Sequence, residues 1–274
     1  MRVAVVQMRS GIDRSENLET ATALIREAAA SGAQLIVTPE MTTLLDRNRT
    51  RLLNSLGEPE PREVDHFALL SQDLGATLVI GSMPVLAPSG TKVANRCFVF
   101  GEGQQVATYD KVHLFDVDLE TGESWRESTL FEEGGEAVVA QVPGAKLGLS
   151  ICYDVRFPHL YRALAQAGAQ ILTIPAAFTV PTGKAHWETL VRARAIENGC
   201  FVLAPAQGGT HADGRVTYGH ALIVSPRGEV LDTLAHDEPG VAVVDIDLRQ
   251  VAEMRQSIPS LALDRSPELR IYGA

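Results

Sequence analysis

Cysteine is scarce in this chain of 274 residues: Cys97, Cys152 and Cys200 are the whole set, an odd number, each in or beside an apolar run. That excludes a disulfide-stapled secreted scaffold and fits a reducing compartment. Long apolar runs are missing too. No window approaches the roughly 20 apolar residues that span a bilayer. The apolar-leaning stretch within residues 1–8 is too short for a signal-peptide h-region. Basic residues are outnumbered, with Lys+Arg 24 against Asp+Glu 34 and a formal net charge of −10 at pH 7. Neither nucleic acid nor an anionic membrane would be attracted to such a balance. There is no His-Glu-x-x-His run and no Cys-x-x-Cys pair, and Gly101-Glu102-Gly103 lacks the third glycine of a dinucleotide fingerprint. The expectation is a cytoplasmic protein that uses no metal and no cofactor.

What is present is a globular mixture, 45% hydrophobic and 21% charged. A chain this long buries roughly 75% of the surface it exposes when unfolded. Short aliphatic runs recur at residues 3–6, 35–37, 77–80, 97–100, 146–151, 170–174, 200–203, 221–224 and 241–246. Several are continuous rather than alternating, as strands buried on both faces are. Helical patterns lie between them. Leu18, Ala21, Leu24, Ile25 and Ala28 recur at three- and four-residue spacing before Gly32. Further helices are predicted from near Pro61 to Gly75, from Pro158 to Gly168, and from about Ala185 to Asn198, where Gly199 stops the last. Ser225-Pro226-Arg227-Gly228 reads as a hairpin turn. Together these predict one α/β domain with a mixed sheet.

Ligands of open α/β folds sit beyond the carboxyl ends of strands. Three strand ends here carry reactive groups: Thr38-Pro39-Glu40, Lys111-Val112-His113 and Cys152-Tyr153-Asp154. Singly, each has a plainer reading. Glu40 would be a solvated turn residue, Lys111 a surface lysine, and Cys152 a small buried hydrophobe. Cys97 and Cys200 read as core. A Cys–His hydrolase using His113, His186 or His220 as base is an alternative without a local signature.

In combination, Thr38-Pro39-Glu40, Tyr109-Asp110-Lys111-Val112-His113-Leu114 and Ile151-Cys152-Tyr153-Asp154-Val155-Arg156-Phe157-Pro158 resemble the motifs of the nitrilase superfamily of carbon–nitrogen hydrolases. The likeness runs from Val5-Val6-Gln7-Met8 through residues 192–198 to Tyr218-Gly219-His220-Ala221. The Cys-Tyr-Asp-x-Arg-Phe-Pro form is similar to the Nit amidase branch. Phe178, Thr182-Gly183 and Ala185-His186-Trp187-Glu188 resemble the enzymes that hydrolyse deaminated glutathione more than those acting on small ω-amides. The resemblance implies a four-layer αββα sandwich with mixed sheets over residues 1–256. It also implies a homodimer or higher homo-oligomer, with a tail of residues 257–274 packing on a partner subunit. Finally it implies a triad of Glu40, Lys111 and Cys152, with Glu127 holding the lysine or the substrate amide. Without it, Glu127 is one of seven acidic residues in a solvated loop, residues 116–135.

The chemistry is coherent with those residue types. A free thiol of pKa ≈ 8.5 is only about 3% ionised at pH 7, so Cys152 needs Glu40 as general base. A carboxylate beside a thiol raises the thiol pKa, and Lys111 offsets that repulsion. Lys111 and the backbone N–H of Tyr153 would face the developing oxyanion. Arg156 reads equally as the partner of a substrate carboxylate and as a brace for its own loop. Phe178 reads equally as pocket wall and as core, and Thr182 is a further candidate contact. The predicted reaction is hydrolysis of a small-molecule amide, a primary amide of a small carboxylic acid, through a thioester. It would release ammonia, with deaminated glutathione as the favoured substrate. The alternatives are an omega-amidase for 2-oxoacid amides such as ketoglutaramate, an N-carbamoyl amino acid hydrolase, and a catalytically idle binding module.

Overall fold

Alternation along the first strands sorts their side chains into two cores. On Arg2–Gln7, Val3 and Val5 enter one apolar cluster while Ala4 and Val6 enter another. Leu35 and Val37 follow the first pair, and Ile36 follows the second. A strand with both faces buried has no polar side to show, which is why these runs are continuous. The computed structural model describes residues 1–56, 62–118, 122 and 124–273.

Two mixed sheets result. The first runs in the order Gly240–Asp245, Arg2–Gln7, Leu35–Val37, Thr77–Leu86, Val93–Gly101 and Gln104–Asp110, with Phe131–Glu132 pairing beside Val93–Gly101. The second runs Val230–Thr233, Leu222–Val224, Phe201–Ala204, Ile171–Thr173, Ala145–Leu149 and Val139–Val142. In each, three central strands are parallel and the flanking pairs antiparallel. Val3, Val5, Leu35 and Val37 of the first sheet share a cluster with Leu147, Ile171 and Phe201 of the second, so the sheets pack face to face. Helices Arg14–Ala30 and Glu63–Leu74 cover the outer face of the first. Helices Pro158–Gln166 and Val180–Asn198 cover the second. The order of layers is helix, sheet, sheet, helix, so there are two mixed sheets where composition and periodicity predict one.

Boundaries differ from expectation where local chemistry misleads. The helix expected from about Ala185 starts at Val180, because Pro181 fits the first helical turn. Gly183, which reads as a loop residue, sits where a Cβ would meet the Tyr218 ring at 2.3 Å. Helices Arg49–Ser55 and Arg249–Ser257 are unforeseen. Pro61, the expected start of another helix, lies outside the described residues; that helix is described from Glu63.

The carboxyl ends of the two sets of parallel strands meet at Gly81. A Cβ there would lie 2.1 Å from the Thr38 carbonyl oxygen, 2.6 Å from that of Pro39 and 2.4 Å from the Pro175 side chain. A bulge at this point lets Ser82 receive the neighbouring loop. The Ser82 hydroxyl accepts from the Met41 N–H at 2.9 Å and its carbonyl accepts from the Thr42 N–H at 2.8 Å. Gly81→Ala must therefore displace the Thr38–Pro39 backbone that follows Leu35–Val37 and the Pro175 side chain that follows Ile171–Thr173. It is expected to cost about 3 kcal/mol in a urea unfolding curve, with amide hydrolysis falling in the folded fraction.

Candidate active site

Each polar side chain of the site is delivered by a strand end. Glu40 follows Leu35–Val37, Lys111 follows Gln104–Asp110, and Cys152 lies three residues beyond Ala145–Leu149. The loop after Ile171–Thr173 adds the N–H of Ala177. Residues distant in sequence thus converge where the two sheets join.

Glu40 and Lys111 are buried, with side chains 6% and 2% exposed. Glu40 Oε1 accepts from Lys111 Nζ at 3.0 Å and from Asn95 Nδ2 at 2.9 Å, while Oε2 accepts from the Ala177 N–H at 3.0 Å. Lys111 Nζ also donates to both oxygens of Glu127, at 3.0 and 2.9 Å. Glu127 Oε2 is fixed in turn by the Phe115 N–H at 2.6 Å. One ammonium is therefore clamped between two carboxylates, and Asn95 Nδ2 braces that of Glu40.

Burial opposes charge on all these groups, and the balance differs among them. Burial alone would raise the pKa of Glu40, but the Lys111 charge and hydrogen bonds from Lys111, Cys152 and Asn95 outweigh it and hold the carboxyl below its usual range. Burial would lower Lys111, yet the charges of Glu127 and Glu40 hold its ammonium well above the ordinary value. For Cys152, burial and then Glu40 push the thiol well up, and Lys111 only partly counters them. The resting state is a thiol beside a carboxylate and an ammonium.

Cys152 adopts φ +50°, the left-handed region that costs a non-glycine residue about 1 kcal/mol. It opens a short 3₁₀ turn, Cys152–Arg156, ahead of the Pro158–Gln166 helix. Asp154 secures that turn. Fully buried, it accepts from the Ile151 N–H at 2.8 Å, the Tyr109 hydroxyl at 2.7 Å and the His113 N–H at 3.1 Å. The nucleophile turn is thereby tied to the strand end that carries Lys111. His113 Nδ1 also meets Asp154 at 2.7 Å, and its ring stacks on Phe157.

All the residues singled out in the sequence line one cavity of about 210 Å³: Glu40, Lys111, Glu127 and Cys152 with Tyr153, Arg156, Phe178 and Thr182. Arg156 stands over the rings of Tyr153 and Phe178, at 5.9 and 5.5 Å, with His186 Nδ1 at 3.3 Å from Nη1. Phe178 is both wall and core, packed on Trp187 at 4.8 Å. Thr182 and Thr179 hydroxyls meet at 2.8 Å. No histidine is among the described residues lining this cavity, which removes the structural basis for a Cys–His pair. Cys97 and Cys200 are fully buried in the core as expected. Among the described residues no group of three His, Cys, Asp or Glu side chains is arranged to hold a metal ion, and no helix is long and apolar enough to cross a membrane.

Asn95 and the outer wall of Arg47, Trp125 and Arg215 escaped the sequence reading. Asn95 had a signal, a polar residue inside the apolar run Val93–Gly101. The outer wall had none, since its parts come from two loops and the strand Ser124–Arg126, all distant in sequence.

Residues 2–256 match the carbon-nitrogen hydrolase family. The chain belongs to that family and is an amidase of the nitrilase superfamily. It is 40% identical over 262 residues to the deaminated glutathione amidase of Synechocystis sp. (strain PCC 6803 / GT-S), covering 94% of this chain and 96% of that one. Its fold matches the NitFhit protein of C. elegans with a TM-score of 0.88 at 34% identity, covering 96% of this chain. This chain spans only 65% of that protein's length. It also matches a Glu-to-Gln variant of the amidase from Nesterenkonia sp. AN1, which carries acrylamide added to its active-site cysteine. There the TM-score is 0.77 at 28% identity, covering 96% of this chain and 100% of that one.

Proposed function

We propose that this amidase works through a thioester on Cys152 and that its substrate is deaminated glutathione. The observation that carries the reading is the convergence of Glu40, Lys111 and Cys152 on one cavity, with carboxylate and ammonium 3.0 Å apart. As Sγ attacks the carbonyl carbon, its proton passes to Glu40, so that thiolate exists only while the C–S bond forms. The tetrahedral oxygen faces the Lys111 ammonium and the Tyr153 N–H; the Cys152 N–H is already committed to the Pro175 carbonyl at 2.8 Å. Loss of one such donor costs about 10²–10³ in turnover. Glu40 hands its proton to the departing nitrogen as the C–N bond breaks. It then takes a proton from water, which attacks the thioester, and the sulfur leaves to recover that proton. Glu127 acts through Lys111, keeping it charged and in place.

The leaving group decides the substrate. Deaminated glutathione holds only peptide amides, so its cleavage releases an amine, whereas a primary amide releases ammonia. Cut beside its 2-oxo acid half, it forms the same acyl–enzyme as ketoglutaramate, and the two readings separate on the other product. Arg156, close to the sulfur in sequence and with no carboxylate bonded to it among the described residues, suits the acyl carboxylate. The expected result is a kcat/KM at least tenfold higher on deaminated glutathione than on ketoglutaramate, with cysteinylglycine released and no ammonia. Preference for ketoglutaramate would make the enzyme an omega-amidase. Carbon dioxide release from N-carbamoyl substrates would make it a carbamoylase. Turnover no greater than that of Cys152→Ala would leave a binding module.

The same proposal covers the assembly: a hydrolase domain of residues 1–256, and a tail of residues 257–274 packed on a second copy. Leu269, Ile271 and Tyr272 of that tail are 87%, 85% and 84% exposed in the single chain, apolar surface that a partner would cover.

A further inference from the structure

The cavity has an outer edge whose charge amide chemistry does not require. Arg47 stands exposed on the loop after Glu40, and Arg215 stands on the hairpin that joins Gly208–Thr210 to Val216–Tyr218. Between them lies Asp213, its side chain 1% exposed. Asp213 Oδ2 accepts from the Arg47 N–H at 2.9 Å and lies 3.3 Å from Arg215 Nη2, while Oδ1 accepts from the Arg215 N–H at 2.9 Å. The Asp213 carbonyl accepts from Arg47 Nε at 2.8 Å. Asp213 therefore orders both arginines, holding the Arg215 guanidinium with its carboxylate and the Arg47 guanidinium with its carbonyl, and leaves a positive excess in a chain whose net charge is −10.

Arg215 also lies over the ring of Trp125, 5.2 Å from its centroid. Trp125 belongs to Ser124–Arg126, just before Glu127. Arg215 Nε and Trp125 Nε1 are both buried without a hydrogen-bond partner. Among the described residues with such orphaned side-chain atoms, these two are the ones that line the cavity. Buried donors usually find an acceptor, and a pair in contact at one edge of an active-site cavity points to an acceptor brought by a ligand.

We propose that Arg47 and Arg215, ordered by Asp213 and with Arg215 stacked on Trp125, bind a carboxylate on the leaving-group side of the amide, the C-terminal carboxylate of a peptide-like amine. The inference rests on the reading that the leaving group is a dipeptide. It gives the two ends of the substrate separate cations, with Arg156 for the acyl half and the Arg47–Arg215 pair at the outer edge. A primary amide has nothing to place there. Asp213 is a positioning residue, since it touches the arginines and not the ligand.

The test compares deaminated glutathione with its C-terminal carboxamide, which share the acyl group and scissile bond, in the wild type and in Arg47→Met, Arg215→Met, Arg215→Lys and Asp213→Asn. The wild type is expected to favour the free carboxylate in kcat/KM by about 30-fold, chiefly through KM, as suits charge-assisted hydrogen bonds. Each Met variant should lower that ratio about tenfold, Asp213→Asn should lower it less, and Arg215→Lys should retain more of it than Arg215→Met. Because the readout is a ratio between two substrates of one preparation, partial loss of folded protein cancels. A wild-type ratio within twofold of unity, or a ratio unmoved in both Met variants, overturns the subsite while the dipeptide reading stands. Hydrolysis of ketoglutaramate but of neither glutathione derivative overturns the dipeptide reading and the subsite with it.

Discussion

Replacing Cys152 with alanine is expected to lower amide hydrolysis by about 10⁴-fold or more while the unfolding free energy stays within about 1 kcal/mol of the wild type. The sulfur forms the bond that divides the reaction in two, and no neighbouring group can take its place. Glu40 could activate water directly, but water lacks the positioned geometry that Cys152 has at its strained turn. What remains is the background due to binding and oxyanion contacts alone. Stability changes little because the thiol is only half-buried and its neighbourhood is set by Asp154, Pro175 and Ala177. Loss of fold in this variant, seen by circular dichroism, would show the sulfur to be structural instead.

Lys111→Met is expected to damage both activity and stability. The ammonium is the partner of Glu40 and Glu127 together, and removing one member of a buried ion cluster costs about 3–5 kcal/mol. Activity should fall by about 10³-fold in the fraction that remains folded. The pH dependence carries the sign. In the wild type the folded-state pKa of Glu40 is lowered, so its contribution is present above its unfolded pKa and is lost as pH falls through the folded value. In the variant, burial acts on Glu40 without Lys111 to counter it, and its folded pKa rises above the unfolded one. The penalty is then full at neutral pH and relieved on acidification. The stability gap between variant and wild type, measured by urea unfolding, should narrow from pH 7 to pH 5. A gap that does not change over that range would mean Glu40 stays ionised without the lysine.

How much of this was legible follows from which interactions are local. Continuous aliphatic runs at residues 35–37, 146–151 and 170–174 marked doubly buried strands, and Glu40 and Cys152 were visible because each closely follows such a run, whereas Lys111 follows the more exposed strand Gln104–Asp110. Arg49–Ser55 was illegible because it buries only Leu52 and is held by its Asn48 cap. Arg249–Ser257 buries Val251 and Met254 alone, too few for a periodic stripe. The pairing of Gly208–Thr210 with Val216–Tyr218 is short and glycine-rich, without alternation. Within the site, Asp154 stood in a quoted motif, but its bonds to Tyr109 and His113 are long-range and no spacing rule announces them. Arg47, Trp125 and Arg215 meet only through tertiary packing, so a specificity edge built from them could not be seen before the fold.

Intact-protein mass spectrometry of the acid-quenched enzyme during turnover probes the covalent mechanism most directly, with peptide mapping to locate any adduct. Rapid quenching of the wild type in the steady state samples the acyl-enzyme before water discharges it. The expected spectrum shows one added acyl mass, mapped to Cys152, labile to hydroxylamine and absent from Cys152→Ala. Sustained hydrolysis by Cys152→Ala, or an acyl group found on any other residue, would contradict a thioester formed where Glu40 and Lys111 converge.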